Sequence, residues 1–325
     1  MKKVSLNYSF SSEKLFVHVL LSLATLFTVA CSPDSAKQSS GTSSQALAPL
    51  QITDDGGREL TIAKRPETIV SLAPSLSEMV IALGDTGMLR GVTKWCDRPE
   101  AAEVERIGDM TSPDMERIIG LRPDLVLGTE MTPRHVYDTL DAAGVTCMMF
   151  KHQGLQDVMD DMTTLADVLG QHEQGQAVIA AMEARRAKIL ARVAAGKAGA
   201  KVALLYDFES MGSAGKGSWV DDLLSSLGLD NIANRASSSW PRLSREALLT
   251  EQPLYIILPL PLDEAEHAAF RAKVDALKDD PVWGKVQAVQ NGGIIFIPGN
   301  LLNIPGPRTL DAMDFIADHV YGRGK

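Results

Sequence analysis

The sequence predicts an α/β protein built as two doubly wound parallel-sheet lobes joined by a long rigid helix. One helix–strand unit occurs twice, 130 residues apart. Asp114-Met115-Glu116-Arg117-Ile118-Ile119, then Pro123 and Leu125-Val126-Leu127, is answered by Ser244-Arg245-Glu246-Ala247-Leu248-Leu249, then Pro253 and Leu254-Tyr255-Ile256-Ile257-Leu258. In each copy a capping residue opens a short helix, a Pro breaks the chain, and an all-apolar run reads as a buried parallel strand. Strand signals alternate with helical ones on both sides of a long helical stretch that ends near Ala195, the pattern of sheets with helices on their faces.

Residues 1–30 read as an address rather than as fold. Lys2, Lys3 and Lys14 accompany an apolar stretch of 16 residues, Leu15 to Ala30. A membrane-spanning helix needs roughly 20, so the stretch suits a signal h-region. Thr28-Val29-Ala30-Cys31 resembles the lipobox of bacterial lipoproteins, in which cleavage leaves a lipidated cysteine, here Cys31, as the new N-terminus. The alternative is an ordinary signal peptide cleaved nearby. Residues 31–50, rich in Ser, Gln and Ala without apolar period, cannot offset their ordering entropy by burial and read as a flexible tether. The expected location is extracytoplasmic, in the periplasm or on the outer face of the cytoplasmic membrane, held by the lipid anchor.

The first lobe, 51–152, has strand signals at Ile69–Leu72, Leu89–Val92, Asp124–Leu127 and Val145–Phe150, with helices between them. The segment 153–199 is helical. In its second helix Val178, Ile179, Met182, Ile189, Leu190 and Val193 share one face, while Arg185, Arg186, Lys188 and Arg192 read as a solvated flank. The second lobe, 200–325, repeats the scheme with strands at Val202–Tyr206, Leu254–Leu258 and Gly293–Pro298.

Composition and motifs exclude several functions. The formal net charge of −9 argues against nucleic acid or anionic lipid as ligand. Beyond Cys31, Cys96 and Cys147 are expected to be free thiols. The six His residues are scattered, with no metal-binding spacing. Gly212-Ser213-Ala214-Gly215-Lys216-Gly217-Ser218 fails as a phosphate loop because Gly217 separates the Lys from the Ser. No nucleophile elbow occurs and no catalytic residue is assigned. Two halves carrying matched carboxylates, Glu116 and Glu246, suggest instead a monomeric binding protein with a cleft between lobes and a partner that reads both. Each Glu also stands near a helix start, where acid is favoured in any case. A surface-anchored hydrolase on the same scaffold is the competing reading.

Trp95-Cys96-Asp97-Arg98-Pro99, Met115-Glu116-Arg117-Ile118 with Arg122-Pro123-Asp124-Leu125-Val126-Leu127, Trp240-Pro241 with Ser244-Arg245-Glu246, and Pro305-Gly306-Pro307-Arg308 occur in this order. The ordered set resembles cobalamin and ferric-siderophore substrate-binding proteins of ABC importers, the class III periplasmic binding proteins of helical-backbone type, and the Trp-Pro segment resembles the cobalamin-binding members in particular. The resemblance covers 60–322. It implies two lobes on one rigid helix, ligand between them, and a permease dimer met by two glutamates that match Glu116 and Glu246. It further implies a corrinoid as cargo, with a ferric siderophore or haem as alternative. No resident cofactor is implied, any cobalt or iron belonging to the ligand. Met110 and Leu301 stand where cobalamin binders often present aromatics, and Leu227 stands near a cysteine expected in some members.

Ligand contacts are expected from loops at the carboxyl ends of the strands: Ser75, Trp95, Asp97, Met110, Lys216, Trp240, Leu301 and Arg308, flanked by Ala73, Thr129, Glu130, Asp207 and Asn300. Trp95 and Trp240, one per lobe, offer flat faces to a planar macrocycle. Trp240 has the alternative role of a loop anchor beside Pro241, and Trp219 and Trp283 are expected in the core.

Overall fold

Apolar runs with no polar face must be covered on both sides, and both lobes are assembled from such strands. In the computed structural model, which describes residues 49–194, 199–261 and 263–322, an antiparallel hairpin of β1 (Leu50–Thr53) and β2 (Glu59–Ile62) comes first. It is followed by β3 (Ile69–Ser71), α1 (Pro74–Ala82), β4 (Leu89–Val92), β5 (Glu105–Arg106), α2 (Met115–Gly120), β6 (Leu125–Thr129), α3 (Arg134–Ala142) and β7 (Cys147–Phe150). The last five strands form one parallel sheet in the order β5-β4-β3-β6-β7. The hairpin is a finding that the sequence reading lacks, and it shortens the tether expected over 31–50, since Leu50 is already in a strand. The signal segment and Cys31 lie outside the described residues.

Two helices, α4 (Leu155–Val168) and α5 (His172–Ala194), lead to the second lobe. There β8 (Lys201–Leu204), α6 (Trp219–Ser226), β9 (Asp230–Asn231), α7 (Arg245–Glu251), β10 (Tyr255–Leu260), α8 (His267–Ala276), α9 (Gln287–Gln290), β11 (Ile294–Pro298), α10 (Gly299–Asn303) and α11 (Thr309–Tyr321) follow. The strands pair in parallel in the order β11-β10-β8-β9. Chain direction across each sheet therefore reverses once, between β3 and β6 and between β8 and β10. A crevice opens beyond the carboxyl ends of strands at such a reversal.

The duplicated unit is conserved in backbone detail. Asp114 accepts a hydrogen bond from Arg117 N and Ser244 from Ala247 N, so both helices are side-chain capped. Both units then leave their helix through a left-handed residue at the same place, Arg122 (φ 49°) and Gln252 (φ 48°), directly before Pro123 and Pro253. Neither is Gly, so each copy retains a backbone conformation that side chains disfavour.

Side-chain alternation along the strands divides the interior into three clusters. Ile69, Leu125 and Leu127 of the first sheet and Val202, Leu204 and Ile257 of the second all join one cluster with α4, α5 and α11. The other faces have separate cores, Val70, Val126 and Tyr137 in the first lobe and Ala203, Ile256 and Trp283 in the second. The two lobes thus share one apolar body. α5, 23 residues and so about 35 Å long, buries Met182, Ile189 and Val193 in it. Of the four basic residues expected to form a solvated flank, Lys188 is exposed as expected, but Arg185 and Arg192 are tied to acids. Arg185 binds Asp311, and Arg192 binds Asp314 and Asp318, which fastens α11 along the bridge.

Gly128 in β6 shows how closely the first lobe is packed: a Cβ there would lie 2.3 Å from Tyr137 Oη. The buried phenol donates to the Thr129 carbonyl at 2.9 Å. Gly128→Ala should therefore destabilise the protein by about 1–3 kcal/mol, read as a lower urea midpoint, and an unchanged midpoint would contradict this packing.

Candidate functional site

The two crevices face one another across a cavity of about 880 Å³, near the top of the range usual for small-molecule sites. Its first-lobe wall is made by segments that follow strands: Ala73–Ser75 after β3, Lys94–Asp97 after β4, Met110 after β5, Thr129–Met131 at the end of β6 and His152 after β7. The second-lobe wall is Tyr206 after β8, Trp219 at the start of α6, Trp240, and Asn300, Asn303, Ile304 and Pro305 after β11.

Two tryptophans are exposed in this cavity, Trp95 at 44 % and Trp240 at 47 %. Neither swings freely. Trp95 Nε1 donates to Asp109 Oδ2 at 3.2 Å, and Lys94 Nζ lies 4.6 Å from its ring centroid while pairing with the same Asp109 at 2.8 Å. The Lys94 contact holds the Asp109 carboxyl below its ordinary value. Trp240 leans on Trp219, with centroids 4.8 Å apart, and on Tyr206 at 6.4 Å. The Trp219 indole donates to the Leu302 carbonyl at 3.0 Å. The second lobe therefore presents an aromatic corner whose residues position one another.

A polar bridge joins the lobes beside the cavity. Arg308, next to the start of α11, donates through Nε to Glu78 Oε1 of α1 at 2.8 Å and through a terminal nitrogen to Asp97 Oδ1 at 2.7 Å. Asn300 donates its amide to the same Asp97. Burial raises the Glu78 carboxyl despite Arg308. Burial also raises Asp97, but the Arg308 and Asn300 contacts outweigh it and hold that carboxyl below its usual value. At a second contact Leu155 N, at the start of α4, donates to Asp222 Oδ2 of α6 at 3.1 Å.

Of the residues expected to meet ligand, Ser75, Trp95, Asp97, Met110 and Trp240 line the cavity. Asp207 does not, its carboxylate accepting from Glu209 N and Ser210 N, and three more stand outside the lining. Lys216 is exposed outside the lining, its carbonyl accepting from Ser239 Oγ. Leu301 packs against the shared core, because the α10 turn directs residues 300 and 303 into the cavity and 301 and 302 away from it. Arg308 stands one residue behind the wall, engaged by Glu78 and Asp97. Trp219, expected in the core, forms cavity wall instead, whereas Trp283 is buried as expected. Sequence reasoning also missed Lys94, Met131, Tyr206 and Asn303. Tyr206 was available as the residue ending a strand signal, and Asn303 as one helical turn from Asn300.

His152 forms buried wall, its Nε2 3.0 Å from Asp161 Oδ2 of α4, and burial pushes the Asp161 carboxyl up. Cys96 and Cys147 are both free and buried. Among the described residues no group of three or more His, Cys, Asp or Glu could hold a metal ion, and no helix is long and apolar enough to cross a membrane. Glu116 and Glu246 are exposed at the second position of α2 and α7, outside the cavity lining.

The chain is 25 % identical over 313 residues to an uncharacterised ABC transporter substrate-binding lipoprotein of Bacillus subtilis, covering 93 % of this chain and 95 % of that one. It is 27 % identical over 268 residues to a vitamin B12-binding protein of Vibrio parahaemolyticus, covering 80 % and 92 %. The crystal structure of a periplasmic haem-binding protein from Pseudomonas aeruginosa superposes with a TM-score of 0.70 at 26 % identity, over 80 % of this chain and 94 % of that one. The profile of the family described as periplasmic binding protein matches residues 69–301. The chain therefore belongs to the periplasmic binding protein family, extracytoplasmic proteins that bind a transported substrate and do not transform it.

Proposed function

We propose that this protein is the substrate-binding lipoprotein of an ABC importer, anchored through Cys31, and that it captures a corrinoid between its lobes and delivers it to a permease dimer. The observation that carries the corrinoid reading is the pairing of restrained Trp faces from opposite lobes with the neutral amides of Asn300 and Asn303 in one cavity. A flat macrocycle fringed with amides needs apolar faces and uncharged hydrogen-bonding partners. The B12-binding relative and the lipoprotein relative support the same reading. Haem is the second reading, favoured by His152 in the wall and by the haem-binding neighbour, since haem iron takes His as a proximal ligand. Glu116 and Glu246 are assigned to docking because they are exposed, occupy equivalent places in the duplicated unit and lie outside the cavity lining.

Titrating the mature protein with hydroxocobalamin, haemin and ferric siderophores should give saturable tryptophan quenching with the corrinoid. Trp95→Ala and Trp240→Ala should each weaken it by about fivefold to thirtyfold, on the order of 1–2 kcal/mol for a lost aromatic face. Silence towards the corrinoid with saturation by haemin would replace the first reading by the second. The double variant Glu116→Ala/Glu246→Ala should keep its ligand affinity and lose cellular uptake. Weakened ligand binding in that variant would show the two carboxylates to be misassigned.

A further inference from the structure

The cations around the cavity are already paired. Lys94 stands in the wall and Arg308 directly behind it. Lys94 pairs with Asp109 at 2.8 Å and lies over the Trp95 ring. Arg308 spends its guanidinium on Glu78 and Asp97. Asn300 gives its amide to Asp97 as well. Glu130 is exposed in the lining and has no ion-pair partner among the described residues. Arg98, beside Asp97, also acts on Glu78 but is paired with Glu100 at 2.8 Å. Glu78, Asp97, Glu100, Asp109 and Glu130 thus face Lys94, Arg98 and Arg308, and the acids outnumber the bases even with buried Glu78 protonated.

We infer that Glu78 and Asp97 set the charge specificity of the cleft. By holding the Arg308 guanidinium they withhold the cation that a carboxylate-bearing ligand needs, so the cavity admits neutral or cationic macrocycles and rejects anionic ones. This inference rests on the proposal that the cavity takes a macrocycle and names the chemical class it selects. A ligand carboxylate entering the cavity loses hydration. To gain a partner it must draw Lys94 from Asp109, or Arg308 from carboxylates whose side chains are only 3 % (Glu78) and 35 % (Asp97) exposed, and stripping the partner from a buried charge is strongly unfavourable. The start of α1, which has no side-chain cap, supplies about half a positive charge at most, less than Glu130 removes. An amide meets none of these costs, because it both donates and accepts without a net charge.

The test holds ring shape constant and changes only the fringe. Dicyanocobinamide is compared with dicyanocobyrinic acid, and haemin dimethyl ester with haemin, on the wild-type mature protein, Asp97→Asn and Arg308→Gln. In the wild type the neutral member of each pair that binds should bind about tenfold or more tightly than its acid. Asp97→Asn, which removes a carboxylate and loosens Arg308, should shift the acid-to-neutral affinity ratio upward by about tenfold; Arg308→Gln should shift it downward by a similar factor. Damage to the fold would weaken both members of a pair alike and leave the ratio unmoved, so the opposite shifts belong to charge alone. Wild-type affinity for the acids equal to that for the neutral partners, or a ratio unchanged or moving the same way in both variants, would overturn the inference. Silence towards both corrins with preference for haemin ester over haemin would defeat the corrinoid reading and leave the charge selection standing.

Discussion

The shared apolar cluster beneath both sheets is the constraint from which the rest of the molecule follows. Each sheet turns one face into its own core and the other into a common body with α4, α5 and α11. Separating the lobes would expose that body to water at roughly 25 cal/mol for each Å² of apolar surface, so the cleft is a fixed feature of the fold. The ion pairs of Arg185 and Arg192 with α11 lie on the outer side of the same assembly and align helices already packed together. They are partly exposed, and their contribution to stability is correspondingly small.

A fixed frame changes what the cavity walls can be. Exposed aromatic rings are costly in solution but useful for binding when their orientation is settled beforehand, because little further order is lost on association. Trp95 is held by Asp109 and Lys94, and Trp240 by Trp219 and Tyr206. The Arg308 bridge belongs to the same design. It crosses between the lobes and pairs with two carboxylates beside a wall that carries the neutral amides of Asn300 and Asn303.

The sequence made the large-scale organisation legible because buried parallel strands have to be apolar throughout and because the repeat fixed the equivalence of Glu116 and Glu246. The positions of the cavity segments followed from the rule that ligand sites lie at the carboxyl ends of strands. What escaped depends on neighbours distant in sequence. Trp219 looked like core because it opens an amphipathic helix, yet its exposure is decided by Trp240, which no local pattern locates. Arg185 and Arg192 looked solvated because their acidic partners lie more than a hundred residues away. Leu301 was misplaced because α10 is a single helical turn, where one residue's shift in phase exchanges wall for core. The β1–β2 hairpin was missed because its strands are short and half exposed.

The most direct test of the fixed frame is the distance between spin labels on exposed Glu103 of the first lobe and Lys273 of the second, measured by pulsed electron resonance with and without saturating ligand. A shared core predicts that the distance changes by less than about 2 Å. A change of about 10 Å, as a hinge closing around its ligand would give, would contradict it.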